Sequence, residues 1–135
     1  HLVSLLSTNK LLYSAKYPIL GTVSLDSAVY NLPAIMEKPN HYGFYDDVFG
    51  INQDYWKKMS PYYQIDQKIK PMYLVCSTLR EESCEQANNF SIKAKSLGSL
   101  IYVDRENKKH EEINDLLGMD LIYTQKVEKF MESLN

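Results

Sequence analysis

A chain of 135 residues suits one domain and leaves no room for two of ordinary size. Apolar residues make up 44% and charged residues 24%, which fits a folded globular chain and excludes disordered, collagen-like and membrane-spanning classes. Fifteen Lys plus Arg against seventeen Asp plus Glu leave a formal charge of -2, so no nucleic-acid partner is expected.

In chain order, His1-Leu2-Val3-Ser4-Leu5-Leu6 puts Leu2, Leu5 and Leu6 on one face of an opening helix. Ile19 to Leu25, rich in branched residues, reads as a buried strand that closes at Asp26-Ser27. From Ala28 to Gln67, Pro33, Pro39, Pro61, Gly43 and Gly50 divide the chain into loops and short helices, with Leu32 to Glu37 and Gln53 to Met59 the clearest. Met72 to Cys76 is a second strand. A helix then runs from Ser83 to Leu97, with Ser83 as its expected cap and Gly98 as its left-handed stop. Leu100 to Val103 forms the third strand, Asp104 to Lys109 a polar loop, and His110 opens a short helix that Gly118 ends. The closing helix carries Val127, Phe130, Met131 and Leu134 on one face. Alternating strands and helices predict an α/β fold, a three-layer, partly parallel sheet flanked by helices, in a single domain over 1–135 with a cap-like insertion at about 28–67.

Cys76 and Cys84 are too few for a disulfide framework and lack the company needed for zinc, so a reducing compartment is the default and Cys76 reads as a small buried residue or a nucleophile of last resort. No apolar run of about eighteen residues exists and the N-terminus lacks a signal-peptide layout, which predicts a cytoplasmic chain without membrane contact. His110-Glu111-Glu112-Ile113-Asn114 departs from the zincin pattern because Asn114 stands where the second histidine should be, so no metal is expected. The five glycines are too far apart for a phosphate cradle, and no nucleotide cofactor is expected.

His110 follows a strand of the predicted parallel sheet, at the edge where open α/β folds place their ligands. As a catalytic base it needs an orienting carboxylate, and Glu82, with Glu81 beside it, lies on the loop after the preceding strand. The alternative is an exposed His110, with Glu81 and Glu82 serving only the helix N-terminus. Trp56 and the tyrosines between residues 30 and 63 suit either a substrate pocket or a lid packed on the sheet.

These segments together resemble the C-terminal half of the α/β-hydrolase family, in particular small esterases of the carboxylesterase, lipase and kynurenine formamidase type. His1 to Leu6 is similar to the helix that follows the nucleophile elbow, and Ile19 to Ser27 to the sixth strand with its Asp-Ser exit. Pro71 to Thr78 is similar to the seventh strand, Leu79 to Cys84 to the acid-bearing loop, and Leu100 to Val103 with His110 to the eighth strand and histidine loop. The resemblance implies hydrolysis of carboxylic ester or amide bonds in a small molecule, with His110 as base and Glu82 as the preferred acid. Asp26, placed where some lipases carry the acid, comes second and Glu81 third. No Gly-x-Ser-x-Gly elbow occurs, so the nucleophile is expected from the N-terminal half of the same enzyme, and the chain alone is expected to be inactive. That half, or a self-association partner, would cover the strand at residues 19–25. A non-catalytic α/β binding domain is the competing function.

Overall fold

The computed structural model describes residues 1–9 and 18–134; Tyr13 and Tyr17 lie outside them. In chain order the elements are α1 (Leu2–Thr8), β1 (Thr22–Leu25), α2 (Leu32–Met36), α3 (Phe44–Phe49), α4 (Gln53–Lys58), α5 (Pro61–Gln64), β2 (Met72–Ser77), α6 (Glu81–Ser96), β3 (Ile101–Glu106), α7 (His110–Asp115) and α8 (Leu121–Glu132). The sheet has the order β1-β2-β3 and both pairings are parallel, with Met72 opposite Thr22 on one side and Ile101 on the other. A parallel return needs a crossover, and α6 supplies the one between β2 and β3.

Strand β2 is apolar almost throughout because both of its faces are covered. Met72, Leu74 and Cys76 pack with Ala87, Phe90 and Ala94 of α6, while Val75 packs on the opposite face with Ile113, Tyr123 and Val127 of α7 and α8. This is the expected α/β layering. A third cluster, Val29, Leu32, Met36, Phe49 and Trp56, forms the core of the cap between β1 and β2. Asn31, Asn52 and Asp120 each accept a hydrogen bond from a backbone N–H three residues on, which fixes the starts of α2, α4 and α8.

Several expectations require correction. Of the predicted face of α1 only Leu5 is buried, whereas Leu2 is 76% exposed. The helix meets β1 through hydroxyls instead, Ser4 Oγ lying 3.2 Å from Ser24 Oγ and Ser7 Oγ 2.5 Å from Thr22 Oγ1. Helix α6 begins two residues before the predicted cap, and Ser83 lies inside its first turn, where the hydroxyl is spent on Asp26. The polar stretch after Val103 continues as strand to Glu106, because Lys126 pairs with Asp104 and Glu106 and offsets their charge. Helices α3 and α5 escaped prediction because neither opens on a side-chain cap of the kind that Asn31 and Asn52 give α2 and α4. On α8 the predicted apolar face is buried at Val127 and Phe130, but Met131 is 48% exposed. Cys76 and Cys84 are joined in a disulfide with Cα atoms 5.0 Å apart. The cysteines therefore give no support to a reducing compartment, and Cys76 has no thiol to act as nucleophile.

Candidate functional site

Three loops converge at the carboxyl ends of the parallel strands. The first follows β1, where Asp26 takes a left-handed conformation (φ 52°) and its N–H still donates to Val75 O. The second joins β2 to α6 and carries Arg80, with Ser77 at the end of the strand before it and Ser83 in the first turn of the helix after it. The third joins β3 to α7 and delivers His110, the first residue of that helix.

The partner of the His110 ring is Asp26. Nδ1 lies 2.8 Å from Asp26 Oδ2. An ionised carboxylate only accepts, so Nδ1 carries the proton and donates it, which leaves the Nε2 lone pair of the neutral ring available. Among the described residues, both hydrogen-bond-range contacts of the ring run through Nδ1.

Asp26 is buried, and every side of its carboxylate is occupied. Ser77 N donates to Oδ1 at 2.7 Å, the Ser83 hydroxyl also donates to Oδ1, and Arg80 Nη1 donates to Oδ2 at 2.6 Å. Burial pushes the Asp26 pKa up, but the hydrogen bonds from Ser83, Arg80, Ser77 and His110 outweigh it and hold the carboxyl below its usual range. The acid is therefore an anion at neutral pH.

The His110 loop is fixed from several sides. Ser77 Oγ donates to Lys108 O at 2.6 Å, and Lys108 Nζ reaches Glu106 at 2.8 Å and Asp120 at 3.0 Å. Lys109 N donates to Glu112 Oε2 at 2.7 Å, which closes the first turn of α7. Ser77 thus binds the acid through its backbone and the histidine loop through its side chain.

The two remaining carboxylates stand elsewhere. Glu82 Oε1 lies 3.9 Å from Lys38 Nζ of the cap, and Glu81 is exposed at the cleft rim. Successive helix positions are about 100° apart, so once Ser83 faces Asp26, Glu82 projects sideways toward the cap. The order of preference among the acids is corrected accordingly: Asp26 makes the contact with His110 that Glu82 was expected to make. Sequence reasoning missed Arg80, Ser77 and Ser83 as the groups that hold the acid. The two cysteines flanking that loop were the available signal.

Above His110 lies an open cleft of about 400 Å³, walled by His110 and Arg80 on the sheet side and by Ile35, Tyr42 and Tyr45 on the cap side. The aromatic segment therefore divides its work: Tyr42 and Tyr45 face the cleft, whereas Tyr30 and Trp56 are core. Among the described residues no cluster of His, Cys, Asp and Glu suits a metal ion, and no helix is long and apolar enough to cross a membrane. Comparison with known proteins returns no match: no protein family, no curated protein and no solved structure is similar to this chain.

Proposed function

We propose that Asp26 and His110 are the acid and base of a serine hydrolase acting on carboxylic ester or amide bonds of a small molecule, and that the chain corresponds to the C-terminal half of an α/β-hydrolase fold. The observation that carries this reading is the 2.8 Å contact from Nδ1 to a buried, anionic Asp26, in a ring that lines an open cleft and whose Nε2 has no hydrogen-bond partner among the described residues. That polarity is what a triad demands: the acid fixes the tautomer, and the far nitrogen takes a proton from the nucleophile and returns it to the leaving group. No cofactor enters this chemistry.

The nucleophile and oxyanion donors are assigned to a segment outside these 135 residues. In the described sheet β1 pairs only with β2, so its outer edge is open to a further strand. Beside it an apolar groove of about 320 Å³, formed by Val23, Leu25, Val127 and Met131, suits a covering element. A complementary N-terminal half is the proposed partner. Localisation follows the cysteines: a disulfide within the site loop fits an oxidising compartment better than the cytoplasm.

Hydrolysis of an activated acyl ester tests the proposal. The chain alone is expected to show neither a burst nor turnover above an imidazole-like background. Once it is joined to a segment bearing a Gly-x-Ser-x-Gly elbow, hydrolysis should appear, and His110→Ala should lower kcat by about three orders of magnitude or more. Turnover by the isolated chain that survives His110→Ala would overturn it. A non-catalytic binding domain would instead show no hydrolysis in either form.

A further inference from the structure

We propose that Arg80 is the positioning residue of the Asp26–His110 pair, holding the acid's main chain and carboxylate together so that His110 keeps its proton on Nδ1. The inference rests on the proposed role of the pair, and it assigns a function to a residue that an acid and a base do not by themselves require.

One nitrogen carries the argument. Arg80 Nη1 donates to Asp26 Oδ2 at 2.6 Å and to Asp26 O at 3.1 Å, so it spans the side chain and main chain of the same residue. That residue is the one non-glycine position of positive φ among the described residues, a conformation that persists only where its surroundings over-determine it. With Oδ1 filled by Ser77 N and Ser83 Oγ, the guanidinium and the imidazole share Oδ2. The carboxylate cannot rotate without losing several donors together.

The ring and the guanidinium approach to 3.3 Å, Nδ1 to Nη1. Both atoms are donors, so this is not a hydrogen bond between them. They are held side by side because both donate to the same anionic oxygen. An imidazole that turned Nδ1 into an acceptor would lose Asp26, and the guanidinium keeps Asp26 where it is. Arg80 is itself held, since its loop is closed at both ends by Cys76–Cys84 and its side chain is only 33% exposed. It also lines the cleft together with Tyr45 of α3, which places it at the junction of cap, acid and base.

Two nuclear magnetic resonance measurements on the 15N-labelled chain test this, and neither depends on hydrolysis. Long-range proton–nitrogen correlations report the tautomer of the neutral His110 ring. The wild type should be predominantly Nδ1–H, Arg80→Met should lower that fraction by about twofold or more, and Arg80→Lys, which keeps a cationic donor, should restore at least about half of the loss. A wild-type tautomer ratio in Arg80→Met, or no recovery in Arg80→Lys, would overturn the assignment. The second measurement needs no variant and decides the matter if Arg80→Met does not fold. The Arg80 Nη protons should exchange with water at least about tenfold more slowly than those of exposed Arg105. Exchange as fast as that of Arg105 would show that the clamp is absent. If the hydrolase reading fails, these signals remain; if the signals fail, the activity test still stands.

Discussion

At the scale of the residue, the site depends on a carboxylate removed from water. Burying an unpaired anion costs several kcal/mol, and Asp26 offsets that cost with donors from Ser77, Ser83, Arg80 and His110. Asp26→Asn should therefore lower unfolding stability at pH 7 by about 2–4 kcal/mol in urea denaturation, since it leaves Arg80 and Ser83 without their anion. The pH dependence has a definite sign. A carboxyl whose folded pKa is depressed contributes stability above its unfolded pKa and loses it as pH falls through the folded value. The gap between wild type and Asp26→Asn should accordingly be full near neutrality and shrink below about pH 4, near the unfolded carboxyl pKa. His110 was legible in the sequence because its address, the residue after a polar loop at a sheet edge, is set by chain order. The same argument holds for Asp26, which follows β1 directly, although it entered the reading only through the family resemblance. Glu82 was preferred by family order, and what displaced it was the start of α6 at Glu81, which turned Ser83 inward and Glu82 toward Lys38.

At the scale of the element, strand and helix positions followed from apolar periodicity, and the errors fall where polar groups replaced apolar packing. Helix α1 meets β1 through Ser4 and Ser7, which a hydrophobic pattern does not record. Strand β3 continues through charged residues because Lys126 and Lys108 pair with them, a tertiary condition invisible to local reading. Helix α6 obeys its periodicity: Phe90 is fully buried between Tyr30 and the sheet, and Phe90→Ala should cost about 3–5 kcal/mol in chemical denaturation. The Cys76–Cys84 bond links the end of β2 to the first turn of α6 across a separation of 8 residues. Loop-closure entropy for so short a ring gives about 2.5 kcal/mol, so the Cys76→Ala/Cys84→Ala double variant should unfold at correspondingly lower urea concentration. Since that loop also carries Arg80 and Ser83, the double variant should weaken the protection of the Arg80 Nη protons as well.

At the scale of the whole molecule, the sheet scaffold and the cap meet at one cleft. The sheet with α6, α7 and α8 fixes Asp26, Arg80 and His110, while the cap contributes Tyr42 and Tyr45 opposite them. The ion pairs that join the halves, Lys38 to Glu82 and Glu85 at 3.9 Å, are long and exposed and contribute little. Cap and scaffold are instead joined by Asn31 N, which donates to Gln86 Oε1 of α6 at 2.7 Å, and by the fully buried Tyr30, whose ring packs on Phe90 of α6 with centroids 4.7 Å apart. The central claim, that Asp26 rather than Glu82 serves His110 in acyl transfer, is tested most directly by kcat for an activated ester in the chain completed with its elbow-bearing segment. Asp26→Asn should lower kcat by about three to four orders of magnitude, as loss of the tautomer-fixing acid does in a triad, while Glu82→Gln should stay within about threefold of wild type. A kcat unaffected by Asp26→Asn, or a thousandfold loss in Glu82→Gln, would contradict the account.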